Sequence, residues 1–395
     1  MENPYLFVGH FIDTFGPRRA GSDAETKAQH FLAEELRGFC QDVTVEPFDA
    51  ALRAKFRSLR WFTLAFAIAL LLPYWSLTAA FVLALANALL YVFHFVLFHA
   101  VLDPFFPSMR SHNVVGNVES KDLTKHTLIF AGHMDSTPEF IWWYWFKGFG
   151  ARMMVIAGFS WLLLPLFYTL ALGFDRPVWM SLPWWAFVAV APFSLAFFFI
   201  HGKRVVPGAQ DNLSGVAVAF EVARRIARAG GLQHTRIRMV SFGAEECGLK
   251  GSGAYAVRHK AKLIAENAHV INLDGILDID HMHVIEREVM AMQVHHPPLI
   301  DAMLEAFQRN GLPKKRGTIP IGGTDASSFS ARGIPATSIV GLPMGQLHPT
   351  YHTRLDTLDC LDPVTLDRIS TVLVDFANAW DRSSITRVEA ERKGG

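Results

Sequence analysis

The chain has 395 residues, is 51% hydrophobic and carries a formal net charge of +1. That length suffices for one large domain or two ordinary ones, and the near-neutral balance offers no basic face for a nucleic-acid partner. The three cysteines, Cys40, Cys247 and Cys360, lie far apart and lack metal-ligand spacing, so no disulfide framework is expected.

Along the chain, the first residues hold no basic segment followed by an apolar core, so no signal peptide is expected. Ser22 and Asp23 predict a capped helix to about Gly38, with Ala28, Phe31, Leu32 and Leu36 on one face. Asp42 to Phe48 alternates as a strand does. The GPRRAGS segment between Gly16 and Ser22 is expected to be a solvated loop, with a functional role for its two arginines, Arg18 and Arg19, as the alternative.

From Trp61 to Val101 the sequence is almost uncharged and is broken at Pro73–Ser76, which predicts a helical hairpin of bilayer-spanning length. Asn87, His94 and His99 are its polar exceptions, expected to form interhelical hydrogen bonds. NVVGNVES (113–120) and HTLIFAGHMDS (126–136) predict neighbouring strands. An aromatic-rich segment, IWWYWFKGFG, suits a membrane interface. A second apolar pair follows, about Ala151 to Leu172 and Trp184 to His201, joined by a tip that holds Asp175 and Arg176. Four transmembrane helices in two hairpins are therefore expected, and the bilayer is the predicted partner. Basic residues gather at the hairpin bases (Arg53, Lys55, Arg57, Arg60, Arg110, Lys147, Arg152, Lys203 and Arg204), which places those bases and the rest of the chain in the cytoplasm.

Beyond Pro207 the pattern alternates. It predicts helices at Leu213–Ala229, Pro298–Arg309 and Pro363–Trp380. Strands are predicted at Ile237–Phe242, His269–Leu273, near Met282–Ile285 and in ATSIVGL, with a frayed charged tail after Arg382. The fold class is α/β: a mainly parallel mixed sheet sandwiched between helices, plus the four inserted transmembrane helices.

Five short motifs carry the chemistry: GHMDS, GAQDNLSG, AEECGLKGS, NLDG and YHTRLDT. Each places a carboxylate or imidazole at the carboxyl end of a predicted strand or in the loop beyond it, the edge where α/β sheets gather ligand sites. Oxygen and imidazole donors of this kind suit Zn²⁺. Adjacent carboxylates such as Glu245 and Glu246 point in different directions, so one can bind a metal while its neighbour faces a bound water.

In this order the motifs resemble the di-zinc exopeptidases related to bacterial leucyl aminopeptidase and aminopeptidase Y, a family that includes the glutaminyl cyclases. The resemblance covers residues 1–56, 104–140 and 203–395; the hairpins, 57–103 and 141–202, look like insertions. It implies two Zn²⁺ per chain, with His133 and Asp274 on one, Glu246 and His352 on the other, and Asp211 bridging. It further implies that Asp135 supports His133, that Glu245 is the general base and that Tyr351 faces the oxyanion. Asp325, in GGTDASSF, falls where relatives shape the substrate site, although they often have histidine where this chain has Ala326. Asp356 is expected to orient His352 or cap a helix, and Asn212 to hold its loop. His281, His283, His295 and His296 match no motif and are expected to be surface or core residues.

The expected activity is removal of N-terminal residues from peptides by a membrane-anchored enzyme. The alternatives are a glutaminyl-cyclase-like transferase or amidase, and a membrane receptor or scaffold on the same fold. Relatives of the cyclase kind work with one catalytic zinc, whereas five ligands stand here. Since the second hairpin begins soon after His133 and ends shortly before Asp211, the site is expected to open towards the membrane. No sequence feature fixes an oligomeric state.

Overall fold

The computed structural model describes residues 3–173 and 177–394, with side chains through Ser383; Asp175 and Arg176 lie outside the described residues. Two compact units form, one from Met1–Ala50, Met109–Thr137 and Val205–Gly395, the other from Ala51–Ser108 and Pro138–Arg204.

In chain order the elements are α1 (Pro4–Phe15), α2 (Asp23–Arg37), β1 (Asp42–Ala50), α3 (Ala54–Leu71), α4 (Leu77–Leu90), β2 (Met109–Val118), β3 (His126–His133), β4 (Pro138–Phe140), α5 (Ile141–Ala171), α6 (Leu182–Phe198) and β5 (His201–Val205). There follow α7 (Ser214–Arg228), β6 (Thr235–Phe242), α8 (Lys250–Ala265), β7 (Ala268–Asp274), β8 (His283–Glu288), β9 (Gln293–Val294), α9 (Pro297–Arg309), β10 (Arg316–Ile319), α10 (Asp325–Ser330), β11 (Ala336–Val340) and α11 (Pro363–Gly394).

The first unit is built on a nine-stranded mixed sheet in the order β1, β2, β6, β3, β7, β11, β8, β10, with β9 beside β8. Its centre, β6 to β11, is parallel, whereas β1, β2 and β8 join antiparallel. The strand motifs at 113–120 and 126–136 are not neighbours: β6 inserts between β2 and β3. Local alternation marks a strand but carries no pairing information, which is set by the crossovers. Along β3, Leu128 and Phe130 bury into one core with α1, α2, α7, α9 and α11, while Ile129 and Ala131 bury into the opposite one with Tyr255 of α8 and Phe329 of α10. Close packing brings α7 onto this sheet at Gly215, where a Cβ would come within 2.3 Å of the Leu273 carbonyl oxygen; only glycine fits. The closing helix α11 runs to Gly394, not Trp380, so the charged tail continues the helix rather than fraying.

In the second unit, α3 to α6 pack around Phe62, Phe66, Tyr91, Trp161 and Tyr168. Buried polar groups hold one another across helices. Trp161 Nε1 donates to Ser194 Oγ at 3.0 Å, the Tyr168 hydroxyl to Ala69 O at 2.7 Å and Asn87 Nδ2 to Phe62 O at 3.2 Å. His94 instead stays local, its Nδ1 lying 3.2 Å from the His99 carbonyl oxygen. The outward faces are apolar as well: Leu64, Ile68 and Leu71 on α3, Phe159, Leu163, Leu166 and Leu170 on α5 are all exposed. Apolar residues inside and out fit a hydrocarbon surround rather than water.

Among the described residues three stretches are long and apolar enough to cross a membrane: Ala54–Tyr74, Leu77–Val96 and Ile141–Ala171. A further apolar helix, Leu182–Phe198, has 17 residues and is shorter than these. One boundary moves. Helix α3 starts at Ala54 rather than Trp61 and takes Lys55, Arg57 and Arg60 into its opening turns. The aromatic segment is helical, and non-helical backbone at Lys147 (φ 49°) sets its start apart from the remainder of α5.

Candidate metal centre

The carboxyl ends of three adjacent parallel strands supply the site. β3 ends on His133, β7 ends on Asp274, and the turn after β6 carries Glu245 and Glu246. The turn before α7 presents Asp211, and the loop after β11 presents Tyr351 and His352. Parallel strands carry successive loops to the same edge, so residues up to 219 positions apart in sequence meet there, as the Glu25 bond to Ala244 illustrates.

Among the described residues three sets of donors converge, each with ligand atoms mutually within 4.8 Å: His133, Asp211 and Asp274; Asp211, Glu246 and His352; and His133, Glu245 and Glu246. Asp211 is common to the first two. Its Oδ1 lies 3.1 Å from His133 Nε2 and its Oδ2 lies 3.1 Å from His352 Nε2, so each carboxylate oxygen faces a different imidazole. Glu246 Oε1 approaches His352 Nε2 to 3.4 Å, and Glu245 Oε2 stands 3.8 Å from His133 Nε2. All are buried except Asp274, which is partly so.

The electrostatics show what such a cluster lacks. Burial, with repulsion from Asp211 and Glu245, pushes the Glu246 carboxyl well above the usual carboxylate range. Burial also lifts Asp274 to about 8, opposed by His133 and reinforced by Asp211 and Asp325. His133 rises well above its ordinary value: burial alone would lower it, but Glu245, Asp135 and Asp211 outweigh that. Asp211 is held low against the effect of burial by bonds from His133 and His352. Protons thus collect where positive charge is favoured. Carboxylate and imidazole donors in this arrangement fit divalent zinc.

Supporting groups fix the loops. The Asp135 carboxylate accepts the backbone N–H of Glu245 at 2.9 Å and of Glu246 at 3.2 Å, with His133 Nδ1 3.5 Å from its Oδ1. Asp356 holds the short helical segment Ala209–Leu213 that leads into α7. Its oxygens accept the N–H of Gln210 at 2.6 Å and of Asp211 at 3.2 Å, which fixes the Asp211 turn. Asn212 ties the same turn to Leu273 O at 2.8 Å and accepts the N–H of Gly215 and Gly275. The Tyr351 ring stacks on His352 with centroids 4.0 Å apart. Burial and then the carboxylates of Asp211, Glu246 and Asp274 raise its hydroxyl well above its ordinary value, so it stays protonated.

Asp325 is wholly buried at the start of α10, raised to about 7 by burial and subject to the charges of His133 and Asp135. With no accessible surface it reaches a substrate only through its neighbours. Among the histidines that match no motif, His295 is a core residue bonded to Glu288 at 3.0 Å, and His281 pairs with Asp278 at the surface.

Two residues escaped sequence reasoning. Arg18, in the segment expected to be solvated, is fully buried. Glu25 looks like the last residue of an S-x-x-E cap, yet it reaches Ser111 Oγ at 2.9 Å and Ala244 N at 3.0 Å.

The raised carboxyls have a measurable consequence. Metal-free native protein holds protons on Glu25, Asp274, Asp325 and Asp356 that the unfolded chain, with carboxyls near 4, has given up by neutral pH. The unfolded state then binds fewer protons, so stability falls as pH rises. The melting temperature of chelated protein is expected to drop as pH climbs from about 4 to about 8, and zinc to flatten that slope. A metal-free protein equally stable across this window would contradict the assignment.

A mixed sheet with imidazole and carboxylate triads along its carboxyl edge is the zinc-exopeptidase architecture, and that is the fold of this chain. Residues 194–377 match Peptidase family M28, slightly under half of the sequence. Aminopeptidase YwaD of Bacillus subtilis is 28% identical over 155 residues, 39% of this chain and 33% of the relative. The matched stretch spans only 27% to 33% of the length of such relatives. Among solved structures, glutaminyl cyclase of Porphyromonas gingivalis aligns with a TM-score of 0.57 at 15% identity over 96% of this chain and 98% of its own. The aminopeptidase from Aneurinibacillus sp. strain AM-1 aligns at 0.56 with 18% identity, over 95% and 92%. The resemblance drawn from the motifs holds: the likeness is to zinc aminopeptidases and glutaminyl cyclases alike.

Proposed function

We propose that this chain is a membrane-anchored di-zinc aminopeptidase, with Glu245 carrying the proton. The observation that supports this most directly is Asp211, which turns one oxygen to each of two imidazoles at 3.1 Å. Two like cations close together need such a shared anion. His133 and Asp274 would hold one zinc, Glu246 and His352 the other. When bound, the pair would supply Lewis acidity and a water of lowered pKa.

The chain's own groups then do the rest. Glu245 takes a proton from the attacking water and returns it to the departing amine. Asp135 keeps Glu245 and Glu246 in place through their N–H groups. Tyr351, protonated and stacked on His352, is positioned to donate to the oxygen where charge develops. The buried acidic groups are suited to a free α-amine.

Anchoring is proposed through the apolar hairpins, with their basic bases and the catalytic unit on the cytoplasmic side. The flanking of the second hairpin by His133 and Asp211 in sequence favours substrates delivered from the membrane surface. A glutaminyl-cyclase-like reaction is the second reading, since such a cyclase is among the structural neighbours.

The test is a profile of aminoacyl amides, dipeptides and N-terminal glutaminyl peptides on detergent-solubilised protein, with zinc counted per chain. Two zinc per chain, amide hydrolysis and its loss on chelation are expected. Cyclisation without hydrolysis would favour the second reading, and turnover that survives removal of all metal would overturn both. Equal rates on polar and apolar peptides would count against delivery from the membrane.

A further inference from the structure

Arg18 and Glu25 are fully buried polar side chains that take no part in the mechanism above. Both lie in the N-terminal segment, outside the region that matches the peptidase family. Burying a polar or ionisable side chain is costly unless hydrogen bonds compensate, and apolar residues of similar volume often stabilise a core equally well. What these two groups grip is therefore informative.

The Arg18 fork serves three carbonyls: Nε donates to Met134 O at 2.9 Å, Nη1 to Gly16 O at 2.7 Å and Nη2 to Gly208 O at 3.1 Å. Its own N–H donates to Ser136 Oγ at 3.0 Å. Asp135 is thus held on both sides, and the turn that carries Asp211 is tied to it at Gly208. Glu25 accepts from Gly21 N at 2.6 Å, Ser111 Oγ at 2.9 Å and Ala244 N at 3.0 Å. Ala244 sits in the left-handed region (φ 55°), a conformation that non-glycine residues rarely adopt and that needs its surroundings to hold it.

Taken with the Asp135 bonds, three consecutive N–H groups, those of Ala244, Glu245 and Glu246, are received by two carboxylates from separate elements. We infer that Arg18 and Glu25 are positioning residues for Glu245: Glu25 fixes the turn from behind through Ala244, and Arg18 fixes Asp135. The inference rests on the reading of Glu245 as proton carrier. A misplacement of about 1 Å can cost a catalytic group on the order of 10²-fold in rate.

The experiment measures kcat and KM on an aminoacyl amide, per zinc-loaded chain, for full-length wild type, Glu25→Ala, Glu25→Gln and Arg18→Lys, with zinc content and melting temperature alongside. Glu25→Ala is expected to lower kcat about 10²-fold with KM changed less than about twofold and zinc retained. Glu25→Gln should recover most of this, because one amide oxygen can accept from both Ala244 and Ser111. If Glu25→Ala fails to fold, Arg18→Lys decides. A single ammonium cannot serve Met134, Gly16 and Gly208 in the fork geometry, so kcat should fall about tenfold or more at constant KM. Wild-type kcat per zinc-loaded chain in these variants, with only melting temperature lowered, would overturn the inference. A wild type without metal-dependent turnover would overturn the aminopeptidase reading and this one with it.

Discussion

Glu245→Gln is expected to reduce kcat by about 10²- to 10⁴-fold, the range that positioned proton transfer contributes, while both zinc ions stay bound. Two of the three donor sets share Asp211 and do without Glu245, His133 with Asp211 and Asp274, and Asp211 with Glu246 and His352; retention of both zinc ions in this variant separates a proton carrier from a ligand in the third set, His133, Glu245 and Glu246. The backbone of residue 245 would still donate to Asp135, so the turn has no reason to move. Glutamine fills the same volume but is neutral, carries an N–H₂ donor in place of one oxygen, and can neither take up nor release a proton. KM should change little, since ground-state contacts are kept. Rate measurements with metal analysis on the same preparation decide it. A variant with unchanged kcat, or one that loses its zinc, would remove Glu245 from the proposed role.

The five motifs were legible because each has a local form: a short apolar run, then a carboxylate or histidine at its end. His133, Asp211, Glu246, Asp274 and His352 come together because parallel strands must deliver their carboxyl ends to one edge. The strand order was not legible, and β6 between β2 and β3 illustrates why. Alternation states that a strand is buried on its faces but says nothing about its neighbour. Arg18 and Glu25 were hidden for a related reason. In a sequence, Ser22–Glu25 is complete as a helix cap, and Ser22 does cap α2 through Glu25 N at 3.3 Å. The longer reach of Glu25 to Ser111 and Ala244 depends on loops that only the sheet brings near.

Apolar length was more legible than its limits. The turn at Pro73–Ser76 separates the first two spans as composition predicts. Hydropathy alone, however, does not count backbone hydrogen bonds. Helix α3 begins at Ala54 because long basic side chains such as Lys55, Arg57 and Arg60 can lie along a helix with their charged ends turned outward. The aromatic segment is helical on both sides of the break at Lys147, a break that composition does not mark.

Asp211→Asn tests the shared ligand, and the expected effect is larger than for any single-metal residue. At present Oδ1 faces His133 and Oδ2 faces His352, both at 3.1 Å. Asparagine keeps one oxygen and replaces the other with an N–H₂ donor, so one of the two sites loses an anionic ligand and gains a group that repels a cation. The remaining oxygen is neutral, which weakens the second site too. Zinc is expected to fall from two per chain to one or fewer, with kcat reduced by at least about 10³-fold, because water activation and charge stabilisation are lost together. Asp356→Asn provides the comparison. It loosens the Gln210 and Asp211 N–H groups without removing a ligand, so metal affinity should fall only about 10- to 100-fold and excess zinc should restore the rate. If Asp211→Asn retained two zinc ions and wild-type turnover, the centre would not be bridged by this carboxylate. Rescue of Asp356→Asn but not of Asp211→Asn by added zinc is the pattern that a shared anion requires.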